Sequence, residues 1–223
     1  MTTLTDRPFD SLNEPGWGVP VAPGAAIVAD ATAPHSPLNT IHFNYPAGFV
    51  GGSGPESTSY TVANYRVLYL AYYFKYSDNW QGHLTGINKH GYVWYGNTPV
   101  FVYEVYGVGS GPLNSRMALQ VPIVQPNSDG WYTQNLVPSA KFTRGQWALM
   151  EIVLTGNTAG TADGALDWYM DGVHVAHYSG IQYTSSTTAF NWVRIAPIWG
   201  GITDTVAADM WLAFDHYYIS GKN

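Results

Sequence analysis

From position 39 onward, apolar side chains recur at every second position over short runs of the chain. This period is typical of β-strands that pack one face on a core. Clusters of Gly, Pro, Asn, Asp and Ser separate the runs, as in GGSGPES, GVGSGPLNS and TGNTAGTADG, and these residues favour turns. The pattern predicts strands at Asn39–Tyr45, Tyr65–Tyr76, Tyr92–Tyr95, Val100–Tyr106, Arg116–Val121, Gln146–Leu154, Leu166–Asp171, Val173–Tyr178, Phe190–Trp199 and Trp211–Ser220. Many short strands between turns are typical of an all-β sandwich or barrel.

The segment DWYMDGVHVAHY contains the clearest turn. Asp171 and Gly172 stand between two alternating runs, and both tolerate the positive φ that a two-residue hairpin turn requires. The segment therefore predicts a β-hairpin. His174 and His177 follow the turn three residues apart, so on a regular strand they would point to opposite faces and share no ligand.

The run Gln146–Leu154 is apolar at almost every position, which raises a helix as an alternative. Its apolar side chains occupy both faces of an alternating strand rather than one helical stripe, so a buried strand is favoured. Glu151 interrupts this strand, and an unpaired buried carboxylate is costly. We therefore predict an ion pair between Glu151 and Arg194, the one charged residue in Phe190–Trp199.

Residues 1–38 are rich in proline and show little periodicity. They are interpreted as an extended N-terminal arm that runs over the surface, and residues 39–223 as one β-sandwich domain. Such an arm also suggests self-association or contacts with the subunits of a larger particle.

Composition narrows the function classes. The net charge is −6 and charged residues make up 11% of the chain, so binding to nucleic acid, which needs a basic surface, is not expected. The absence of cysteine excludes disulfides and thiol catalysis. No segment predicts membrane insertion or a signal peptide. We therefore expect a protein that is cytosolic until release, associated with a virion, or extracellular by another route.

Aromatic residues make up 15% of the chain, and several lie on the second face of predicted strands. In Tyr65–Tyr76 the even positions are apolar, whereas the odd positions include Tyr69 and Tyr73. Tyrosine is also common on half-buried sheet faces because of its β-propensity alone. A face that mixes aromatic and polar side chains suits a sugar, whose ring stacks while its hydroxyls form hydrogen bonds. The predicted ligand-binding residues are Tyr69, Tyr73, Trp80, His83, Trp94, Glu104, Tyr106, Arg116 and Gln120.

Several motifs occur in a recognisable order: YPAGFVGGSGP, DNWQGHLTGINKHGY, RGQWALMEIVLTGN, ADGALDWYMDGVHV, RIAPIWGGITD and FDHYYISGK. Over roughly Asn39 to Lys222 the chain resembles the concanavalin A-like lectin/glucanase superfamily, with a LamG-like jelly roll, and is most similar to uncharacterised bacterial and phage-associated members. The resemblance implies an antiparallel β-sandwich (jelly roll) of two curved sheets, with any glycan in the concave groove. Because this fold supports many activities, it does not specify one.

Two kinds of carbohydrate cleavage are considered. Glycoside hydrolysis needs two carboxylates on one strand face, and the superfamily pattern Glu-x-Asp-x-x-Glu has no match, since the nearest segment, Asp163–Asp171, lacks glutamate. A polysaccharide lyase needs a group that neutralises the uronate carboxylate and groups that transfer protons. The lyase motifs Arg-x-Glu-x-Arg and Gln-Ile-His are absent. The residues of suitable type for a lyase are Gln81, His83, Lys89, His90, Tyr92 and Arg116. Of these, the predicted catalytic residues are His83, Tyr92, Gln81 and Arg116.

Superfamily members often bind calcium through loop aspartates and backbone carbonyls, so the resemblance raises Ca²⁺ as a cofactor. No spacing of acidic residues is diagnostic of a calcium loop. The candidate ligands are Asp163, Asp204, Asp209 and Asp215.

The favoured function is a non-catalytic, lectin-like jelly-roll module that binds a polysaccharide or cell-surface glycan in its concave groove. One alternative is a structural or decoration protein of a virion or other particle, which would use residues 1–38 for assembly. A second alternative is a polysaccharide lyase. In the favoured interpretation, DNWQGHLTGINKHGYVWYG forms a rim loop beside the groove.

Overall fold

The structure, a computed structural model, describes residues 1–35, 38–120, 123–124, 131–133 and 141–223. Within these ranges the chain forms two antiparallel sheets and no α-helix. Accordingly, no helix among the described residues has the length and apolar composition to cross a membrane. The sheets pack face to face and share one core. The predicted all-β sandwich of jelly-roll class is confirmed.

Sheet A contains both the first and the last strand of the chain. Its strands are β1 (Thr2–Arg7), β2 (Ala25–Ala29), β3 (Asn39–Tyr45), β5 (Val67–Tyr76), β11 (Ala148–Thr155), β12 (Gly164–Met170), β13 (Val173–Ile181) and β15 (Met210–Lys222). Their order is β13-β12-β11-β5-β15-β3-β2, and β1 pairs with the second half of β15.

Sheet B covers the inner face of sheet A. Its strands are β4 (Thr58–Tyr65), β6 (Ile87–Tyr95), β7 (Thr98–Tyr106), β8 (Leu113–Leu119), β9 (Trp131–Thr133), β10 (Lys141–Phe142) and β14 (Phe190–Ile195). Their order is β10-β8-β7-β6-β14-β4, and β9 pairs with β8. The predicted strand Arg116–Val121 corresponds to β8, although Val121 itself lies outside the described residues.

The alternation predicted for the first long strand is confirmed in β5. Leu68, Leu70 and Tyr72 are fully buried between the sheets, whereas Tyr69 and Tyr73 point outward and are half-buried. The same alternation continues in β11, where every second side chain is buried. The prediction of a strand rather than a helix in that run is therefore also confirmed.

Tyrosines and a histidine lie among the apolar side chains of the core. Tyr72 stacks on Tyr217 with ring centres 4.9 Å apart, and the Tyr217 hydroxyl lies 2.6 Å from that of Tyr103. The two ring nitrogens of His90 lie 3.0 and 2.7 Å from the hydroxyls of Tyr72 and Tyr76. Burial lowers the pKa of His90 to about 3, so the ring is neutral near pH 7. These mutual hydrogen bonds allow the polar groups to be buried.

The predicted β-hairpin is confirmed. β12 and β13 pair antiparallel from Met170 and Val173 onward. Between them Asp171 and Gly172 have φ values of 48° and 76°, as the turn requires. The Asp171 side chain also accepts a hydrogen bond from the backbone nitrogen of Leu149 at 2.8 Å, which ties the turn to β11.

The N-terminal segment contributes two strands to sheet A, since β1 pairs with β15 and β2 pairs with β3. It also contributes buried side chains. Arg7 is 1% exposed, lies 4.9 and 4.8 Å from the ring centres of Phe9 and Trp17, and donates a hydrogen bond to Thr58 at 2.9 Å. β1, β2 and the segment around Arg7 therefore pack against the rest of the sandwich.

Candidate functional site

The outward faces of the two sheets lie on opposite sides of the sandwich, and the predicted ligand-binding residues are divided between them. Tyr69 and Tyr73 project from β5 on sheet A. The residues on sheet B are Trp94, Glu104, Tyr106 and Arg116, with Gln120 directly after β8. The single groove expected from the sequence is therefore not formed, because strands with similar alternation belong to different sheets.

Trp80 and Gln81 are structural in this fold. Trp80 is 2% exposed and packs against Tyr45 and Tyr76. The side-chain oxygen of Gln81 accepts a hydrogen bond from the backbone nitrogen of Ala207 at 3.2 Å. Both residues connect loops at one end of the sandwich.

His83 is fully buried and packs against Trp199. Its Nδ1 lies 2.8 Å from the Thr85 hydroxyl and 3.0 Å from the Thr85 backbone nitrogen. A Cβ at Gly200 would lie 1.8 Å from the His83 ring, and Gly200 has a φ of +47°, so glycine is needed there. Burial lowers the pKa of His83. His83 is therefore an interior residue of this fold, with no exposed surface to offer a ligand.

A row of charged side chains crosses the outward face of sheet B. Lys89 on β6, Glu104 on β7 and Arg116 on β8 are direct cross-strand neighbours. Further along β6, Tyr92 pairs with Arg194 on β14. The basic face is defined here as Lys89, Tyr92, Trp94, Glu104, Tyr106, Arg116, Gln120 and Arg194. It carries three of the nine Lys and Arg residues of a chain whose net charge is −6.

Glu104 is the acidic residue of the basic face, and it is fully buried. Arg116 Nε lies 3.4 Å from Glu104 Oε1, yet no described residue donates a hydrogen bond to either carboxyl oxygen. Burial raises the pKa of Glu104 to about 7, and the charges of Arg116 and Lys89 limit the rise. Near neutral pH a large fraction of this carboxyl is therefore protonated, and the protonated form donates a hydrogen bond.

Lys89 and Tyr92 form a polar pair beside Glu104. The Lys89 ammonium donates to the Tyr92 hydroxyl oxygen at 3.1 Å and lies 5.4 Å from the ring centre. An ammonium group and a phenol hydroxyl are therefore in contact on this face of sheet B.

A groove of about 560 Å³ opens next to the pair, and Tyr92, Trp94, Gln120 and Arg194 contribute to its walls. Arg194 is held there by a hydrogen bond to the Ser57 hydroxyl at 2.7 Å. The Trp94 ring packs against a second tryptophan, Trp192, with centres 5.0 Å apart. The groove therefore combines a cation, an amide and an aromatic surface with one carboxylate, that of Glu56, and groups of these kinds bind sugar rings and their substituents.

The sequence offers Lys89 as a residue of suitable type for a lyase but does not place it among the predicted site residues, and a β-bulge brings it beside Tyr92. The pairing of β6 with β7 shifts register between Lys89 and Gly91, so His90 turns into the core and Lys89 shares a face with Tyr92. Strict alternation would place those two on opposite faces. Glycine inside a strand is the available signal of a bulge, and a Cβ at Gly91 would meet Tyr103 at 2.3 Å.

The predicted ion pair between Glu151 and Arg194 is wrong. Glu151 lies on the outward face of sheet A and accepts a hydrogen bond from the Tyr69 hydroxyl at 2.7 Å. Arg194 belongs to sheet B and bonds to Ser57. Because Glu151 is only half-buried, it does not need a cation from within the core.

The outward face of sheet A also carries a cluster of histidines. His174 and His177 lie 3.1 and 2.7 Å from the same carboxylate oxygen of Asp167. The expectation that these histidines point to opposite faces is therefore wrong. The cause is a register shift in the pairing of β12 with β13, which places both rings on one side.

The four aspartates predicted as calcium ligands serve separate loops. Asp163 accepts from the backbone nitrogen and hydroxyl of Thr158, each at 2.6 Å, and Asp204 accepts from the Leu84 nitrogen at 3.2 Å. Asp209 bonds the backbone of residue 47, and Asp215 bonds that of residue 35. In the described part of the chain, no three His, Cys, Asp or Glu side chains are grouped to hold a metal.

No family model matches the chain, and no curated protein sequence matches it. Solved structures do. A mutant of the alginate lyase Aly36B, in complex with an alginate trisaccharide, is similar at 14% identity and a TM-score of 0.67, over 89% of this chain and 88% of that one. The alginate lyase vAL-1 from Chlorella virus shows 13% identity and a TM-score of 0.66 over 92% of both chains.

A third similar structure, that of a phage protein, covers more of this chain than the two lyases do. The carbohydrate esterase vb_24B_21 from the Shiga toxin-encoding bacteriophage phi24B shows 15% identity and a TM-score of 0.65, over 100% of this chain and 99% of that one. At these identities the likenesses show a common jelly-roll fold. Membership of the concanavalin A-like superfamily stays a prediction.

Proposed function

We propose that this chain binds an acidic, uronate-containing polysaccharide along the basic face. The row of Lys89, Glu104 and Arg116 carries the proposal, because it sets two cations and a carboxyl with a pKa of about 7 side by side across sheet B. Cations bind carboxylates through charge-assisted hydrogen bonds, and a buried Glu104 carboxyl that keeps its proton does not cancel the positive charge of the cations beside it. A uronate chain repeats such acceptors along its length.

The groove and the similar structures both support a polyuronate as the ligand. The volume of the groove, about 560 Å³, falls in the range of roughly 300–1,000 Å³ that is typical of ligand sites. Two of the similar structures are alginate lyases, and one holds an alginate trisaccharide. Alginate is a polyuronate, so a basic face on this fold fits a polymer of that chemistry.

Cleavage by β-elimination is the second candidate function, and the contact between Lys89 and Tyr92 favours it. In this reaction a base removes the proton at C5 of the uronate, the C4–C5 double bond forms, and the C4–O4 bond breaks. A proton then reaches the leaving O4. Arg116 would neutralise the carboxylate and so acidify the C5 proton, while Tyr92 would transfer the proton from C5 to the leaving O4.

Binding is tested by calorimetric titration with an oligomannuronate tetrasaccharide. We expect Lys89→Gln and Arg116→Gln each to weaken binding about tenfold, the equivalent of one charge-assisted hydrogen bond of ~1.4 kcal/mol. Lys222→Gln and Arg66→Gln remove the same charges away from the basic face, so they should bind as the parent chain does. Equal affinity of all four variants, or no binding by the parent chain, would refute the proposal.

Cleavage is tested on the same oligosaccharide by the ultraviolet absorbance of the unsaturated product. If the chain is a lyase, the parent protein generates this absorbance and Tyr92→Phe loses it while retaining the tetrasaccharide. If it is a binding module, the parent protein binds without producing the absorbance. Product formation that survives in Tyr92→Phe would remove Tyr92 from the proposed proton transfer.

A further inference from the structure

A second cavity, of about 340 Å³, lies on the outward face of sheet A, on the side of the sandwich opposite the basic face. The side chains that shape it are Asp6, His35, Ala71, Tyr73, His216 and Tyr218. Ala71 forms the floor of the cavity. Its small side chain lies between two large ones on the same face, since Tyr218 is its cross-strand neighbour and Tyr73 is two positions along β5. At roughly 30 Å³ per water in the liquid, the cavity has room for about eleven waters, a volume that suits a single sugar ring.

The segment that follows β2 forms one wall of this cavity. Asp30 pairs with Lys75 at the start of the segment, and Trp147 donates to the Thr32 hydroxyl at 3.2 Å. At its end the backbone nitrogen of His35 donates to Asp215 at 3.2 Å. The segment is thus attached to sheet A at several points and holds the His35 ring over the sheet.

A β-bulge in β15 supplies the opposite wall. The pairing of β15 with β5 shifts between Asp215 and Tyr218, and His216 has a φ of 44°. As a result Tyr217 points into the core, while the His216 ring stays on the outward side. Its Nδ1 lies 2.8 Å from Oδ1 of the fully buried Asp215, which fixes the ring orientation and leaves Nε2 for another partner.

The groups that face the cavity are rings with unused polar atoms. The His35 ring lies 5.1 Å from that of Tyr73 and 4.7 Å from that of His216. No described residue forms a hydrogen bond with the Tyr73 hydroxyl, the His35 ring nitrogens or His216 Nε2. Asp6 adds an exposed carboxylate at the margin. Such a set offers a ring surface for stacking and both donors and acceptors for hydroxyl groups.

We propose that this cavity binds one ring of a neutral sugar, as a site separate from the basic face. The described lining contains no Lys or Arg, and Asp6 together with the adjacent Asp215 would repel a uronate. A neutral sugar ring needs no cation and is not repelled by the carboxylates, because its hydroxyls donate hydrogen bonds to carboxylates and to histidine nitrogens. The two faces of the sandwich would therefore select different sugars by charge.

The test is saturation-transfer NMR of the full chain with neutral tetrasaccharides of glucose, galactose, mannose and N-acetylglucosamine. We expect at least one to bind, and Tyr73→Ala to weaken that binding about tenfold, which corresponds to ~1.4 kcal/mol. His35→Ala should weaken it as well, and because the His35 side chain has no hydrogen bond within the described structure, this variant should fold normally. Tyr73→Phe retains the ring and should lose less affinity than Tyr73→Ala.

Lys89→Gln separates this inference from the function proposed above. It should leave the neutral tetrasaccharide bound and weaken the oligomannuronate, whereas Tyr73→Ala should do the reverse. Failure of all four neutral sugars to bind would overturn the inference. So would neutral binding that is unchanged in both Tyr73→Ala and His35→Ala, or that is lost in Lys89→Gln, since the ligand would then lie on the basic face.

Discussion

At the scale of single residues, Glu104 in sheet B has an environment unlike that of an ordinary outward-facing strand residue. It is an outward side chain, yet it is fully buried and has two cations as neighbours. Its pKa is raised because burial outweighs the attraction of those cations. A buried carboxyl that keeps its proton leaves the positive charge of these cations available to a second carboxylate, whereas an ionised carboxyl would cancel part of that charge.

The raised pKa of Glu104 predicts a pH-dependent stability. The unfolded carboxyl loses its proton near 4.5, while the folded one keeps it up to about 7. In this window the folded state binds more protons, so stability falls as pH rises. We expect Glu104→Gln to gain stability relative to the parent chain by up to about 3 kcal/mol between about pH 4 and pH 8.

Urea unfolding of the two proteins at a series of pH values measures this difference. Glu151→Gln is the matched control for the Glu-to-Gln exchange itself, since Glu151 is half-buried on the outward face of sheet A and accepts a hydrogen bond from Tyr69. A stability difference for Glu104→Gln that does not change with pH would show that the buried carboxyl does not retain its proton.

At the scale of elements, β15 connects the parts of sheet A. Its first half lies between β5 and β3, and its second half lies between β5 and β1. β1 therefore covers a stretch of β15 that would otherwise be an open edge, and open edges favour pairing with other chains. The segment after β1 adds Phe9, which is fully buried.

We expect deletion of residues 1–10 to destabilise the fold and to expose the edge of β15. The loss of the Phe9 side chain alone is worth about 3–5 kcal/mol, so Phe9→Ala is the control that separates packing from edge exposure. Thermal unfolding should show a lower midpoint for both proteins, whereas light scattering should show association for the truncated chain only. A truncated chain that stays monomeric with an unchanged midpoint would contradict the role given to β1.

Alternation along the chain was sufficient to predict most long strands and the Asp171–Gly172 hairpin, because a period of two follows from strand geometry. It did not predict β4, where polar residues alternate weakly, nor the N-terminal strands. Bulges limited the prediction of faces: they turn His90 inward and bring His174 and His177 together. One extra residue reverses every later side chain, and only a glycine such as Gly91 hints at it in the sequence.

At the scale of the whole molecule, the sandwich presents two chemically different outward faces. Sheet B carries Lys89, Arg116 and Arg194 around one buried carboxyl, whereas sheet A carries carboxylates such as Asp6 and Glu151 with histidines and tyrosines. The sequence showed that such a mixed face existed, but assignment of each strand to a sheet depends on long-range pairing that alternation does not encode. For that reason the sequence could predict which types of residue form the candidate site, but it could not predict on which sheet they lie.

The central claim is that a uronate chain lies along the basic face. The crystal structure of the protein soaked with an oligomannuronate tetrasaccharide tests it most directly. We expect a carboxylate of the sugar within hydrogen-bond distance of Arg116 or Lys89, with a sugar ring in the groove beside Trp94. A tetrasaccharide bound only on sheet A, or anywhere that leaves Lys89, Glu104 and Arg116 without contact, would contradict the account.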